Sequence, residues 1–173
     1  MQLEQKYLAL LAEAERRNLA DVEGIRLCFQ ILSLASSIDR ECAAQLAPHG
    51  LSEARFVVLF LLDAAPDGVP PHVLADQAGV RRATVTGLLD GLERDGFARR
   101  TASPTDRRSR LIQLTPKGKT TTKRLFAKHN QWIASLLGDV SERERKTLSK
   151  LLAKVAARTM RQAAPSKGHG DLE

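Results

Sequence analysis

A chain of 173 residues carrying 27 Lys and Arg against 20 Asp and Glu, with a net charge of +7 and a pI near 9.8, is long enough for one core or two small units sharing one. The positive excess makes a polyanion the first candidate partner. No apolar run approaches the roughly 18 residues of a membrane span, and the Met1-Gln2-Leu3-Glu4 start lacks the basic and apolar regions of a secretion signal, so a cytoplasmic protein without membrane contact is expected.

The first element predicted is an amphipathic helix over residues 2–17, in which Leu3, Tyr7, Leu10, Leu11 and Ala14 recur at steps of three and four. Such a helix is too short to persist alone in water, so it packs on its own subunit or on a second copy. A break follows, with Asp21 as cap for a long helix that carries Ile25, Cys28, Phe29, Leu32, Ala35 and Ile38 to about Leu46. Pro48-His49-Gly50 ends it. Cys28 and Cys42 share this helix and stand about 21 Å apart at roughly 1.5 Å per residue, too far to bridge. The histidines His49, His72, His129 and His169 have no ligand spacing to one another or to the cysteines, so neither a metal nor a cofactor is expected.

Ser52 caps a shorter helix over 53–63, so apolar that it is expected to be buried, with Phe56, Leu59, Phe60 and Leu62 on its core side and Val57 and Val58 alongside. Pro66, Gly68 and Pro70 mark a loop. Pro71 then opens a compact helix to Ala78 with Val73, Leu74 and Ala78 inward. Gly79-Val80 turns the chain into Arg81-Arg82-Ala83-Thr84-Val85-Thr86-Gly87-Leu88-Leu89-Asp90-Gly91-Leu92-Glu93-Arg94. Here Val85, Leu88, Leu89 and Leu92 give one apolar face, while Arg81, Arg82, Thr84, Thr86, Asp90 and Arg94 fall outside it. One side packs and the other is free to read. Short helix, tight turn and a second helix with polar residues outward have the spacing of a helix-turn-helix.

Gly96 stops that second helix. Residues 97–100 and 110–114 read as two short strands joined by a polar tip. Arg94, Arg99, Arg100, Arg107, Arg108 and Arg110 crowd this region against only Asp95 and Asp106, an excess that a merely solvated face does not need. Thr115-Pro116 opens a helix carrying Leu125, Phe126, His129, Trp132, Ile133, Leu136 and Leu137, broken by Gly138. Ser141 to Glu144 matches a capping box, and Leu148, Leu151, Leu152 and Val155 form one side of the last helix. Lys146, Lys150, Lys154 and Arg158 occupy its other side as a solvated face. The tail over 164–173 is expected to be disordered.

The order of these elements resembles the MarR family of bacterial transcriptional regulators. The motifs that carry the resemblance are Leu92-Glu93-Arg94-Asp95-Gly96-Phe97, then Asp106-Arg107-Arg108 followed by Leu114-Thr115 and Gly118. It covers about residues 21–158. The fold it implies is mainly α with a small β-wing: a winged helix-turn-helix DNA-binding domain over 51–114 and a helical dimerisation domain from 1–50 and 115–163, residues 1–18 being an extra helix on the dimer surface. The function it implies is that of a homodimeric repressor reading a pseudo-palindromic site in double-stranded DNA.

Carried over position by position, Thr84 and Thr86 would meet bases or phosphates, while Arg81, Arg82 and Arg94 would neutralise phosphates. Arg107, with Arg108 beside it, matches the wing arginine that enters the minor groove. Asp106 and Arg110 would structure the wing. Gly87 stands where many relatives have a long polar side chain, which implies fewer base contacts. The resemblance further implies an effector crevice, for which Phe29, Arg40, His49, Arg55 and Phe56 are the candidates. Aromatic faces beside cations suit a small aromatic carboxylate that releases DNA.

Cys28 occupies the place of the reactive cysteine in the peroxide-sensing branch of the family. A reactive thiol needs a cation, a helix start or strong donors nearby, and Gly24, Ile25, Ile31 and Leu32 supply none. The residue is read as a core cysteine, with thiol sensing as the alternative. Trp132 and His129 are read as packing residues. No phosphate loop, nucleophile triad or paired carboxylates point to an enzyme. A non-specific nucleic-acid-packaging protein is the remaining rival, although with 4% aromatic residues the chain lacks the exposed rings on which RNA readers stack bases.

Overall fold

A computed structural model of the chain describes residues 3–102 and 110–163. Its elements run α1 (Gln5–Arg16), α2 (Val22–Leu46), a 3-10 turn (Ala47–His49), α3 (Glu53–Asp63), α4 (Pro71–Ala78), α5 (Arg82–Arg94), β1 (Ala98–Ala102), β2 (Arg110–Leu114), α6 (Pro116–Ser135) and α7 (Glu142–Ala163). The expected fold class is observed: mostly helix, with a two-stranded antiparallel wing. Two compact units divide the chain, Met1–Phe126 and Ala127–Glu173, and α6 contributes to both. Asp106, Arg107, Arg108 and the tail over 164–173 lie outside the described residues. Among those described, no helix is long and apolar enough to cross a membrane.

Caps set the helix boundaries. Asp21 takes the left-handed conformation (φ 57°) and its carboxylate accepts from the Gly24 N–H at 3.0 Å. Ser52 Oγ accepts from the Arg55 N–H at 3.3 Å. Pro71 opens α4 and Gly79, at φ 65°, closes it. Thr115 Oγ1 accepts from the Gly118 N–H at 3.0 Å and donates to the Gly96 carbonyl at 2.7 Å, so one side chain starts α6 and anchors the end of α5. Gly118 has no room for a side chain, since a Cβ there would collide with the Phe97 carbonyl. A side-chain cap of this kind is worth about 1 kcal/mol.

In the first unit α1 packs on one stripe of α2. The Tyr7 and Phe29 rings stack at 4.8 Å, the Glu4 N–H donates to Ser33 Oγ at 3.3 Å, and Arg26 pairs with Glu15 at 2.8 Å. Leu11 and Ala14 are buried beneath α1. The adjacent stripe of α2, Leu27, Cys28, Ile31, Leu32 and Ala35, is exposed. The expected inward face mixed the two stripes, because an apolar pattern does not say which of two neighbouring faces its own subunit covers.

The core beneath the helix-turn-helix is sealed by Val58, Leu59, Leu62, Leu74, Val85, Leu89, Leu92 and Ile112. Two expectations about the inner faces are corrected. On α3, Phe60 is 40% exposed and Val57 36%, while Val58 is fully buried; Phe60 instead stacks on Phe126 of α6 at 4.6 Å. On α4, Ala75 is buried, whereas Val73 and Ala78 are half-buried. The wing pairs Ala98 with Leu114 through Ala102 with Arg110. Val69 adds an antiparallel bridge to Ile112, exchanging backbone bonds of 3.0 and 2.9 Å. Gly68 precedes it at φ 99°, with Gln113 and the Ile112 carbonyl where a side chain would stand.

In the second unit, α6 ends at Ser135, whose hydroxyl donates back to the Trp132 carbonyl at 2.7 Å. Leu136 and Leu137, the first two residues past the helix end, fall in the turn and not inside the helix as expected. The capping box forms: the Ser141 N–H donates to Glu144 Oε2 at 2.9 Å and the Glu144 N–H to Ser141 Oγ at 3.4 Å. Leu148, Leu151, Leu152 and Val155 lie exposed along α7.

Candidate nucleic-acid interface

The surface that can read a polyanion is built by α4, its glycine turn and α5. Gly79 reverses the chain, the Val80 N–H returns to the Ala75 carbonyl at 3.0 Å, and Arg81 enters α5 in an extended conformation. Arg81 makes no side-chain cap, and no acidic residue sits in the first turn. The free N–H groups there join the positive end of the helix dipole and the Arg81 and Arg82 guanidinium groups, an arrangement suited to a phosphate.

Arg81, Arg82, Thr84, Thr86 and Arg94 are all exposed, while Val85, Leu89 and Leu92 hold the opposite face in the core. Thr86 Oγ1 donates to the Arg82 carbonyl at 3.1 Å, leaving its lone pairs as acceptors. No neighbour stands within 4 Å of a Cβ built at Gly87, so that point on the helix is open. Arg110 is exposed at the start of β2; Asp106, the other residue expected to structure the wing, is outside the described residues. Arg99 donates to Gln113 Oε1 at 3.2 Å, and Gln113 in turn donates to the Asp67 carbonyl at 3.0 Å. Arg100 pairs with Asp90 at 2.6 Å and with Glu93 at 3.0 Å, tying β1 to α5.

The C-terminal end of α5 is clamped. Arg55 Nη2 donates to Asp95 Oδ2 at 2.5 Å and Nη1 to the Gly50 carbonyl at 2.7 Å. Lys117 Nζ donates to the Asp95 carbonyl at 2.7 Å and lies over the Phe97 ring. The Arg55 guanidinium holds the Asp95 carboxyl below its ordinary range, with Arg94 and Lys117 adding to the effect. Sequence reading placed Arg55 on an effector; its partner lies 40 positions away, and no local spacing signals that pairing.

The effector candidates lie on α2, the 3-10 turn and α3. Phe29 stacks on Tyr7, and Arg40 bonds to Glu4, Ser36 and Ser37 at 3.3, 2.6 and 2.9 Å. Arg55 is committed as above, Phe56 belongs to the core, and His49 is half-buried in the 3-10 turn. An open cleft of about 200 Å³ lies elsewhere, lined by Glu53, Ala54, Val57, Ala78, Val80 and Leu88. Its charged group is a carboxylate.

Cys28, read from the sequence as a core cysteine, is exposed. The buried thiol is Cys42, whose pKa is pushed up by burial and by Glu53 and Asp39 nearby. His129 and Trp132 lie together with ring centres 5.4 Å apart in the second unit. Among the described residues no three His, Cys, Asp or Glu side chains gather as metal ligands.

A sequence model of the MarR family matches residues 51–109, from the start of α3 into the wing. The chain is 32% identical over 148 residues to the HTH-type transcriptional repressor YetL of Bacillus subtilis, covering 85% of this chain and 89% of that protein. It is 32% identical over 137 residues to the HTH-type transcriptional regulator PecS of Dickeya dadantii, covering 78% and 82%. Among solved structures, a cysteine-to-serine mutant of MarR from E. coli, complexed with operator DNA, aligns with a TM-score of 0.63 at 28% identity, covering 77% of this chain and 95% of that one.

Proposed function

Because the chain belongs to the MarR family of HTH-type transcriptional regulators, we propose that it binds double-stranded DNA as a homodimeric repressor reading a pseudo-palindromic site. The observation that carries this reading is α5: an uncapped, acid-free first turn flanked by Arg81 and Arg82, its polar face outward and its apolar face in the core. Thr84 and Thr86 contact bases or phosphates, and Arg94 meets phosphate. Arg107 takes the minor groove, with Arg108 beside it and Asp106 and Arg110 shaping the wing. The chain is a regulator and not an enzyme.

The dimer is proposed from unpartnered apolar surface. Leu8, Leu10, Leu27, Ile31 and Leu32 in the first unit, and Leu148, Leu151, Leu152 and Val155 in the second, are all exposed in the single chain. A second copy that covers them forms the helical dimerisation domain from residues 1–50 and 115–163, leaving 51–114 as the DNA-binding domain. Twofold symmetry then sets the two recognition helices roughly 34 Å apart, one turn of duplex. The test is light scattering together with selection of duplexes from a random pool. A dimer that enriches an inverted repeat is the expected result; a monomer, or equal competition by random DNA and RNA, removes the reading.

The proposed effector is a small aromatic carboxylate that binds the two dimer geometries unequally and so lowers operator affinity. His49, Phe29, Arg40, Arg55 and Phe56 remain the residues assigned to it, in a crevice completed by dimerisation. Calorimetric titration with hydroxylated benzoates and pyridine carboxylates, run alongside DNA release, decides the matter: acids that neither bind nor release DNA exclude this effector class. The exposure of Cys28 favours a second reading, release by oxidation. In that case peroxide abolishes DNA binding in the wild type but not in Cys28→Ser.

A further inference from the structure

Arg55 sits where three segments meet. One arm of its guanidinium bonds the Gly50 carbonyl in the turn that closes α2, the other bonds Asp95 just past α5. Between them the group lies across α5 at Gly91: a Cβ there would stand 3.2 Å from Nη2 and 3.5 Å from Nε. The side chain is only 16% exposed, and Nε is buried without a hydrogen-bond partner. Burying a guanidinium this way is costly unless its geometry is used. The planar fork is what the site uses, because it reaches two acceptors on different segments at once, which a lysine point charge cannot. Gly91 is part of the same arrangement, since a Cβ there would press on the fork and make it give by a few tenths of an ångström.

We propose that Arg55 is a positioning residue for operator reading, its fork holding the C-terminal end of the recognition helix to the turn that closes α2, so that the attitude of α5 in the groove follows α2. The proposal rests on the DNA-reading function argued above. The N-terminal end of α5 has no side-chain cap, and the core packing of Val85, Leu89 and Leu92 is joined by polar anchors at the other end. There Arg55, Lys117 and Thr115 converge on residues 95–96. Of the three, only Arg55 leads back to α2, the helix whose exposed apolar stripe a second copy would cover. A shift of α2 on dimer rearrangement is thereby passed to the reading helix through one side chain.

The experiment uses the full chain, a duplex selected from a random pool by the wild type, and a scrambled duplex of the same composition. Affinity for each is measured across a salt series for the wild type, Arg55→Lys, Asp95→Asn and the double variant, with folding checked by circular dichroism. Each single variant is expected to lose about tenfold on the selected duplex, the scale of a lost charged hydrogen bond. Scrambled-duplex affinity and the salt slope are expected to stay unchanged, and the double variant to be no worse than the singles. Asp95→Asn keeps Arg55 in place, so it carries the test if Arg55→Lys does not fold. Equal losses on both duplexes, with the slope reduced by about one counterion, would make Arg55 a direct phosphate contact and overturn the proposal. Unchanged discrimination in variants that only melt earlier overturns it too. A wild type that enriches no duplex defeats the functional reading itself, a result distinct from either.

Discussion

Arg82 and Arg100 flank the recognition helix with opposite surroundings. Arg82 is exposed in the first turn of α5 with no acidic residue there, whereas Arg100 is held by Asp90 and Glu93. A phosphate displaces water and counterions from the first, but would have to break two ion pairs to reach the second. Arg82→Ala is therefore expected to weaken operator binding by roughly 1–3 kcal/mol and to reduce the salt slope by about one unit. Arg100→Ala is expected to leave the slope intact. Binding isotherms over a salt series separate the two, and equal slopes for Arg82→Ala and wild type would remove Arg82 from the phosphate contacts. Sequence counting put Arg100 in one basic cluster with Arg94, Arg99 and Arg110, because net charge does not reveal which cations are already neutralised.

At the scale of elements, what was legible was local chemistry. Asp21, Ser52, Thr115-Pro116 and Ser141 each announce a helix start within four residues, and each makes the expected bond or turn. Gly79 and Gly96 announce the reversals, and both take positive φ. What was not legible depended on partners far along the chain. The exposed stripe of α2 through Cys28 is as apolar as a core face, so periodicity could not assign it; Phe60 found Phe126, 66 residues on by the sequence numbering, and left the core. Among the effector candidates, Phe29, Arg40 and Arg55 likewise meet partners far along the chain, Tyr7, Glu4 and Asp95.

The capping box on α7 gives the element-scale prediction. Ser141→Ala removes the acceptor for the Glu144 N–H and the hydroxyl that holds Glu144 below its ordinary pKa. Urea unfolding should show a loss of about 1 kcal/mol. If α7 belongs to the dimer surface, the variant should also dissociate at higher protein concentration than the wild type. An unchanged midpoint would mean that α7 is held by its packing alone.

For the molecule as a whole, two carboxylates tether helices to the rest of the first unit, and acid should release both. Glu4, beside Lys6, Ser36 and Arg40, is lowered from its ordinary 4.5 to about 2. Asp95 is lowered from 3.8, chiefly by its bond to Arg55. A carboxyl with a depressed folded-state pKa binds its proton less tightly in the fold than in the unfolded chain. Its stabilisation is therefore complete above the unfolded value and is lost as pH falls through the folded one. For Glu4 that window runs from 4.5 down to about 2, and for Asp95 it begins at 3.8. Both groups reach solvent, so salt screens the effect. Protonation also adds to a chain that already carries +7, and the growing repulsion works in the same direction. Thermal melting should accordingly be flat from neutrality to about pH 5 and fall below it, more steeply at low ionic strength. Asp95→Asn and Glu4→Gln should melt lower than wild type at neutral pH and converge on it in acid, since each removes a contribution that the acid-treated wild type has already lost. Variants whose deficit persisted undiminished at pH 2 would show that packing, and not the ion pairs at α1 and α5, accounts for their loss.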